Sequence, residues 1–314
     1  MAGQKICVVG AGRVGATLIQ NLANRNMCSE ILVCDNNEGV AQGMCLDIMQ
    51  SAYIAGSTTT VRVLKDNTEL QGCAALFFCA GSPRLPGMTR SDLLLANARV
   101  VSEVFGAFKP YLKNTIVVMV TNPLDAMLYL TRKILDVPRE QVLGMAGVLD
   151  SARMAHYIRE KLQLTTSEII APVIGSHGDL MVPLGRLATV GGIPLPDLVA
   201  SDVIVDIENR TRNGGAEIVG YLKNGSAFYA PARAAAVMAE AILKDRGDVL
   251  CASVLLEGEY GFDDVCIGVP IVLGASGCRK ILKYKLNDTE KAAFEQSVAS
   301  VAELITILKN EQMV

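Results

Sequence analysis

Two histidines in 314 residues leave few candidates for a proton acceptor that works near pH 7. His156 falls mid-helix with no glycine beside it and reads as a surface or internally satisfied side chain. His177 lies in Gly175-Ser176-His177-Gly178-Asp179 at the end of a strand-like run, where small neighbours open space around the ring, and it is the better candidate base. Three further groups could act with it. Asp150 and Arg153, in Leu149-Asp150-Ser151-Ala152-Arg153, are three apart and so share one helical face, although a helix N-terminal carboxylate with a surface arginine has the same spacing. Arg84 and Arg90 stand six apart in a loop dense in Gly and Pro, Ala80 to Arg90, and taken alone would be solvated charges. Asn122, in Val120-Thr121-Asn122-Pro123, follows a buried run at the edge where a parallel sheet faces its ligand crevice, or else makes an ordinary Asx turn.

A second constellation is built from backbone. Gly10, Ala11, Gly12, Arg13, Val14 and Gly15 form GAGRVG directly after a strand and directly before a helix, and Asp35 follows another strand about twenty residues on. The first glycine permits the tight turn, the second lets N–H groups approach a pyrophosphate, and the third allows close helix packing, with the anion at the helix N-terminus. Asp35 would accept from ribose hydroxyls, and its charge would oppose a 2′-phosphate, so NAD is favoured over NADP.

These residues need a sheet to hold them. Short β-type runs at Lys5 to Val9, Ile31 to Cys34, Thr60 to Leu64, Ala75 to Cys79 and Ile116 to Val120 alternate with helical patterns, the rhythm of a parallel βαβ sheet. Val14, Leu18 and Leu22 recur at helical spacing after the glycines. Beyond about Gly147 the pattern is mixed, with helices at Ser151 to Leu162, Val203 to Leu222 and Arg233 to Leu243 and β-type runs at Ile169 to Ile174 and Val265 to Leu273. Asn287 and Glu290 stand at capping-box spacing ahead of Phe294, Val298, Val301, Ile305 and Leu308, which predicts a final helix with one apolar face. The length and the change of pattern give two units, 1–146 and 147–314, and without a Pro/Ser-rich linker they are expected to share an interface.

Composition narrows the function further. Hydrophobic residues at 51% against 19% charged exclude disorder, while the longest apolar runs are too short to span a bilayer. A net charge of -3 with both signs interspersed offers no footprint for nucleic acid or an anionic membrane, so the expected partner is a small molecule. The nine scattered cysteines contain no CxxC pair and read as reduced core thiols, with no metal site. The first strand-like run begins at Ile6 without a basic or long apolar stretch before it, which gives a cytoplasmic expectation.

Together, GAGRVG, Asp35, AGSPRLPGMTR, TNP, LDSAR and GSHGD occur in one order at compatible spacings, and the chain resembles the L-lactate/malate dehydrogenase family over essentially its full length. GMAGVLDSAR, MVPLGR, GGAEIVGYLKNGSAFYAPA and GEYG make it similar to the lactate-dehydrogenase-like malate dehydrogenases within that family. The resemblance implies an α/β fold, a Rossmann-type doubly wound parallel sheet with a C-terminal α+β substrate domain, that uses NAD to oxidise malate to oxaloacetate reversibly. It also implies a homotetramer or homodimer. His177 would accept the hydroxyl proton with Asp150 orienting it; Arg153 would grip the C1 carboxylate; Arg90, on a closing loop, would polarise the C2 oxygen; Asn122 would bond the same region. Asn97 and Val120, Thr121 and Asn122 would help to hold the cofactor. Arg84 would pair with a second carboxylate, a position that is neutral, typically Gln, in lactate dehydrogenases. A lactate or broad 2-keto-acid dehydrogenase and a non-catalytic NAD-binding protein are the alternatives. The chain departs from the family at Ser176, often Gly, and at Ser91, which displaces an acidic residue; Lys65 to Thr68 and Leu198 to Asp206 match it less clearly.

Overall fold

The computed structural model describes residues 3–82, 89–223 and 225–314. In chain order the first half is β1 (Lys5–Val9), α1 (Arg13–Asn24), β2 (Glu30–Cys34), α2 (Glu38–Ile54), β3 (Thr60–Val63), β4 (Cys73–Phe78), α3 (Arg90–Phe108), β5 (Ile116–Met119), α4 (Leu124–Leu135) and β6 (Val142–Gly144). These six strands are parallel and lie in the order 3-2-1-4-5-6. That order reverses at β1, which opens a crevice beyond the carboxyl ends of β1 and β4. The strands are apolar on both faces because helices cover both, and Ile6, Val8, Leu32, Phe77 and Val118 are fully buried.

The second half adds α5 (Gly147–Lys161), β7 (Ile169–Ile170), β8 (Val173–Ile174), β9 (Val182–Pro183), β10 (Thr189–Val190), β11 (Ile193–Pro194), α6 (Ser201–Leu222), α7 (Tyr229–Leu243), β12 (Asp248–Glu257), β13 (Asp263–Gly274), β14 (Gly277–Ile281) and α8 (Asp288–Asn310). The fold is α/β, with α7 of this second region packed on α1 and β4 and α8 packed on α3 and α4. The second region is more deeply joined to the first half than two packed units would be. β12 pairs antiparallel with β6 through Ser253 and Gly144, so β12, β13 and β14 extend the parallel sheet across the boundary. One hydrophobic core runs from Ile6 to Leu308, and a smaller one lies under α5 and α6.

Several predicted elements differ in extent. α5 starts at Gly147 rather than Ser151, because the helix is set by packing and not by a capping signature: a Cβ at Gly147 would lie 2.5 Å from Cys251 Cβ. The run Ile169 to Ile174 splits into β7 and β8 around Pro172, which has no N–H for a ladder, and the two strands join different small sheets. α7 begins at Tyr229 rather than Arg233, with Pro231 in its first turn, where an N–H has no intrahelical partner. α8 matches its sequence signature closely. Asn287 and Glu290 make both capping-box bonds, and Phe294, Val298, Val301, Ile305 and Leu308 are all buried. No helix among the described residues is long and apolar enough to cross a membrane.

Candidate active site

The Gly-rich turn lies at the reversal point. Gly10 has φ +97°, and a Cβ there would stand 2.6 Å from Ala80 N just after β4; a Cβ on Gly15 would stand 1.9 Å from Gly10 O. Both positions therefore need glycine to bring β1, α1 and β4 together. Gly12 has open space where a side chain would be. It caps α1 without a side-chain hydrogen bond, and α1 has no acidic residue in its first turn, whereas α2, α3 and α8 are capped by Asn37, Thr89 and Asn287. α4, α5, α6 and α7 also lack a side-chain cap, but only α1 opens on the Gly-rich turn, whose N–H groups can meet an external anion. Asp35, half-buried at the end of β2, accepts from Ala11 N at 2.7 Å and from Asn37 N at 2.9 Å, which fixes its carboxylate beside the turn with further lone pairs for ribose hydroxyls. These residues fit NAD. Arg13 meets the second half here, its guanidinium 5.7 Å from the Phe228 ring centre.

The next wall is a stitched turn. Asn122 and Pro123 are joined by a cis peptide after β5, Thr121 Oγ1 donates to Ala80 O at 2.7 Å, and Asn122 is exposed to the crevice side while Val120 is half-buried. Asn97 is only 1% exposed, and its amide is used internally: Nδ2 donates to Asn122 O at 2.7 Å and Oδ1 accepts from Ser82 N at 2.7 Å. It braces the loops after β4 and β5. A Cβ on Gly81 would meet Thr121 Cγ2 at 2.7 Å, so this brace leaves no room beside it.

Opposite stands the His177 loop. His177 Nδ1 donates to Asp150 Oδ2 at 2.8 Å, and Arg153 Nη1 donates to Asp150 Oδ1 at 3.1 Å. An ionised carboxylate only accepts, so the proton sits on Nδ1 and Nε2 is left as an acceptor. Asp150 is 2% exposed and His177 and Arg153 are each 14% exposed, so the pairing is strong but the ring still reaches the cleft. Burial works against the imidazolium, but the charge and hydrogen bond of Asp150 outweigh it, and the pKa of His177 is raised above the ordinary 6.5. Arg153 has space because α6 offers Gly214 and Gly215 beside it; a Cβ on Gly215 would lie 3.5 Å from Nη2.

Asp150, Arg153 and His177 thus come together, and the Gly-rich turn, Asp35 and Asn122 line the sheet edge. Arg90 is exposed at the start of α3, in the helix rather than in a loop, behind a Thr89–Asp92 capping box. Arg84 lies outside the described residues. His156 is exposed on α5 beside Arg159 and Glu160, as expected of a surface histidine. Sequence reasoning missed Asp125, which accepts from His177 N at 2.9 Å, together with its partner Ser253 and with Ser297, which accepts from Ser176 N at 2.7 Å. Asp125 looks in sequence like an ordinary first-turn helix acid, and nothing local marks the two serines.

A doubly wound sheet with an uncapped Gly-rich helix start, an Asp at the second strand and a buried Asp–His pair across the crevice defines an NAD-dependent oxidoreductase. Residues 4–144 match the lactate/malate dehydrogenase NAD binding domain and residues 147–312 the lactate/malate dehydrogenase alpha/beta C-terminal domain, so the chain belongs to the lactate/malate dehydrogenase family. It is 50% identical over 310 residues to a malate dehydrogenase of Sulfurimonas denitrificans, spanning 98% of this chain and 97% of that one. A malate dehydrogenase of Cryptosporidium parvum superposes with a TM-score of 0.94 at 39% identity over 98% of this chain and 99% of that one. A lactate dehydrogenase of the same organism, solved with lactic acid and β-nicotinamide adenine dinucleotide, gives a TM-score of 0.94 at 35% identity over 99% of both chains.

Proposed function

We propose that the chain catalyses the reversible NAD-dependent oxidation of (S)-malate to oxaloacetate. The observation that carries the chemistry is the Asp150–His177 pair at 2.8 Å, with the imidazole still 14% exposed. The 50% identity to a malate dehydrogenase supports the choice of substrate.

When bound, NAD supplies the acceptor for the hydride that leaves C2. Nε2 of His177, which accepts no hydrogen bond among the described residues, takes the proton of the C2 hydroxyl as the carbonyl forms. Asp150 holds the ring and stabilises the imidazolium. Arg153, already fixed through Asp150, offers its remaining N–H groups to the C1 carboxylate. Arg90 polarises the C2 oxygen and Asn122 bonds the same region. Arg84 pairs with the second carboxylate. Closing over pyruvate would bury that guanidinium without an anion, at about 3 to 5 kcal/mol, or roughly two to four decades in kcat/KM.

In this reading residues 1–146 form the cofactor unit and 147–314 the substrate unit. The chain acts as a homotetramer or homodimer, which the exposed Leu46, Tyr53 and Ile54 along α2 support, and it works in the cytoplasm in the tricarboxylic acid cycle.

Steady-state rates with oxaloacetate and pyruvate, each with NADH and NADPH, test the proposal. Oxaloacetate with NADH should exceed pyruvate by about 100-fold or more in kcat/KM, and Arg84→Gln should narrow that gap. Equal use of pyruvate would favour the broad 2-keto-acid reading. No turnover of any 2-keto acid by a chain that binds NADH would favour the non-catalytic one.

A further inference from the structure

Three consecutive backbone N–H groups lead into the His177 ring, and each is held by a different element. Gly175 N donates to Gly268 O of β13 at 2.8 Å, and Ser176 N donates to the Ser297 hydroxyl of α8 at 2.7 Å. His177 N donates to the Asp125 carboxylate of α4 at 2.9 Å. The first two acceptors are neutral, and only the residue bearing the candidate base is held by a carboxyl group, whose pKa burial raises while the bonds from Ser253 and His177 N lower it. The other oxygen of Asp125 accepts from Ser253 Oγ at 2.6 Å. Asp125 is 4% exposed and Ser253 is fully buried.

The location of this bond gives it meaning. Asp125 lies two residues beyond Pro123, in the first turn of α4, so it is rigidly tied to the turn that presents Asn122. Ser253 is the β12 residue that pairs with Gly144 of β6, the seam at which the two halves of the sheet join. A carboxylate in that seam links the sheet edge beside the cofactor crevice to the backbone of the base. A buried carboxylate is costly and a neutral acceptor would satisfy one N–H, so stability alone gives little reason for a charge here.

We propose that Asp125 is a positioning residue for the reaction: it fixes the His177 backbone relative to the Asn122–Pro123 turn and places a second negative charge behind the imidazole. This rests on His177 being the base. Among the described residues, the charged groups that face His177 are Asp150 and Arg153 of α5 and Asp125 of α4; Asp125 in turn faces Ser253 of β12 and Cys266 of β13, whose thiol burial and Asp125 both push upward. Asp125 and Asp150 both favour the imidazolium, whereas Arg153 opposes it.

The test compares Asp125→Ala, Asp125→Asn and Ser253→Ala with the unaltered enzyme and with His177→Asn. An Asn side chain keeps an acceptor for His177 N and a donor to Ser253 but removes the charge. Asp125→Ala should lower kcat/KM for oxaloacetate about 100-fold, the scale of a base displaced by about an ångström, while the NADH Kd moves less than about 2-fold. Asp125→Asn should recover most of that loss yet show a kinetic pKa for malate oxidation below that of the unaltered enzyme. Ser253→Ala should fall between the two in rate. If Asp125→Ala does not fold, the pH profile of Asp125→Asn decides. An Asp125→Ala rate near that of the unaltered enzyme, or an Asp125→Asn profile with an unchanged pKa, overturns the proposal. Retained turnover in His177→Asn would instead remove the base assignment beneath it.

Discussion

The two sides of the crevice are built on opposite plans. The cofactor edge is a backbone cradle within one short stretch, Gly10 to Gly15, closed by Asp35 a single strand later. The base side is assembled from side chains of five separate segments: Asp125, Asp150 with Arg153, His177, Ser253 and Ser297. A cradle of this kind depends on the absence of atoms, since the Gly10 and Gly15 positions have no space for a Cβ. The other side depends on a connected set of charges whose members set each other's geometry. The first should fail through sterics and carry the cofactor with it, and the second should fail through chemistry and leave the cofactor bound.

The largest expected effect breaks the base side alone. His177→Asn should cut kcat by about 10³-fold, within the range of lost general acid–base catalysis, with NADH binding unchanged by fluorescence titration. Loss of NADH binding together with turnover would show that the two sides are not separable in this way. A smaller effect should come from the cradle. Gly15→Ala should weaken NADH binding by roughly 10- to 100-fold and lower thermal stability, because forcing a methyl group against Gly10 O costs about 1 to 3 kcal/mol. Under saturating NADH its kcat should stay close to that of the unaltered enzyme, and a kcat loss as large as that of His177→Asn would erase the contrast.

The same difference decided what was legible in the sequence. The cradle, the strand rhythm of the first half and α8 with its Asn287–Glu290 cap are local patterns, and each is present where the spacing puts it. His177 and the Asp150–Arg153 pair were visible as residue types, but their contact joins positions 27 apart and appears only in the fold. Long-range pairings left no local mark. β12 was not among the β-type runs read from the sequence, so its pairing with β6 and the shared sheet were missed, and Asp125 and Ser253 became visible only when 128 residues of chain had brought them together. The position of Arg90 in α3 was hidden for a different reason: Thr89 and Asp92 form a capping box that starts the helix just where the Gly and Pro content suggested a loop.

If Asp150 raises the pKa of His177 as the proposed base, the pH profile of kcat/KM for malate oxidation will show it. Oxidation needs the neutral ring, so the rate should fall as pH drops through the pKa of His177; oxaloacetate reduction needs the imidazolium and should fall as pH rises through the same value. Because Asp150 outweighs burial, that inflection should lie above 6.5. In Asp150→Asn the largest raising influence is gone and desolvation remains, so the inflection should move below that of the unaltered enzyme while kcat falls. An inflection at or below 6.5 in the unaltered enzyme, or one that Asp150→Asn leaves in place, would contradict the account.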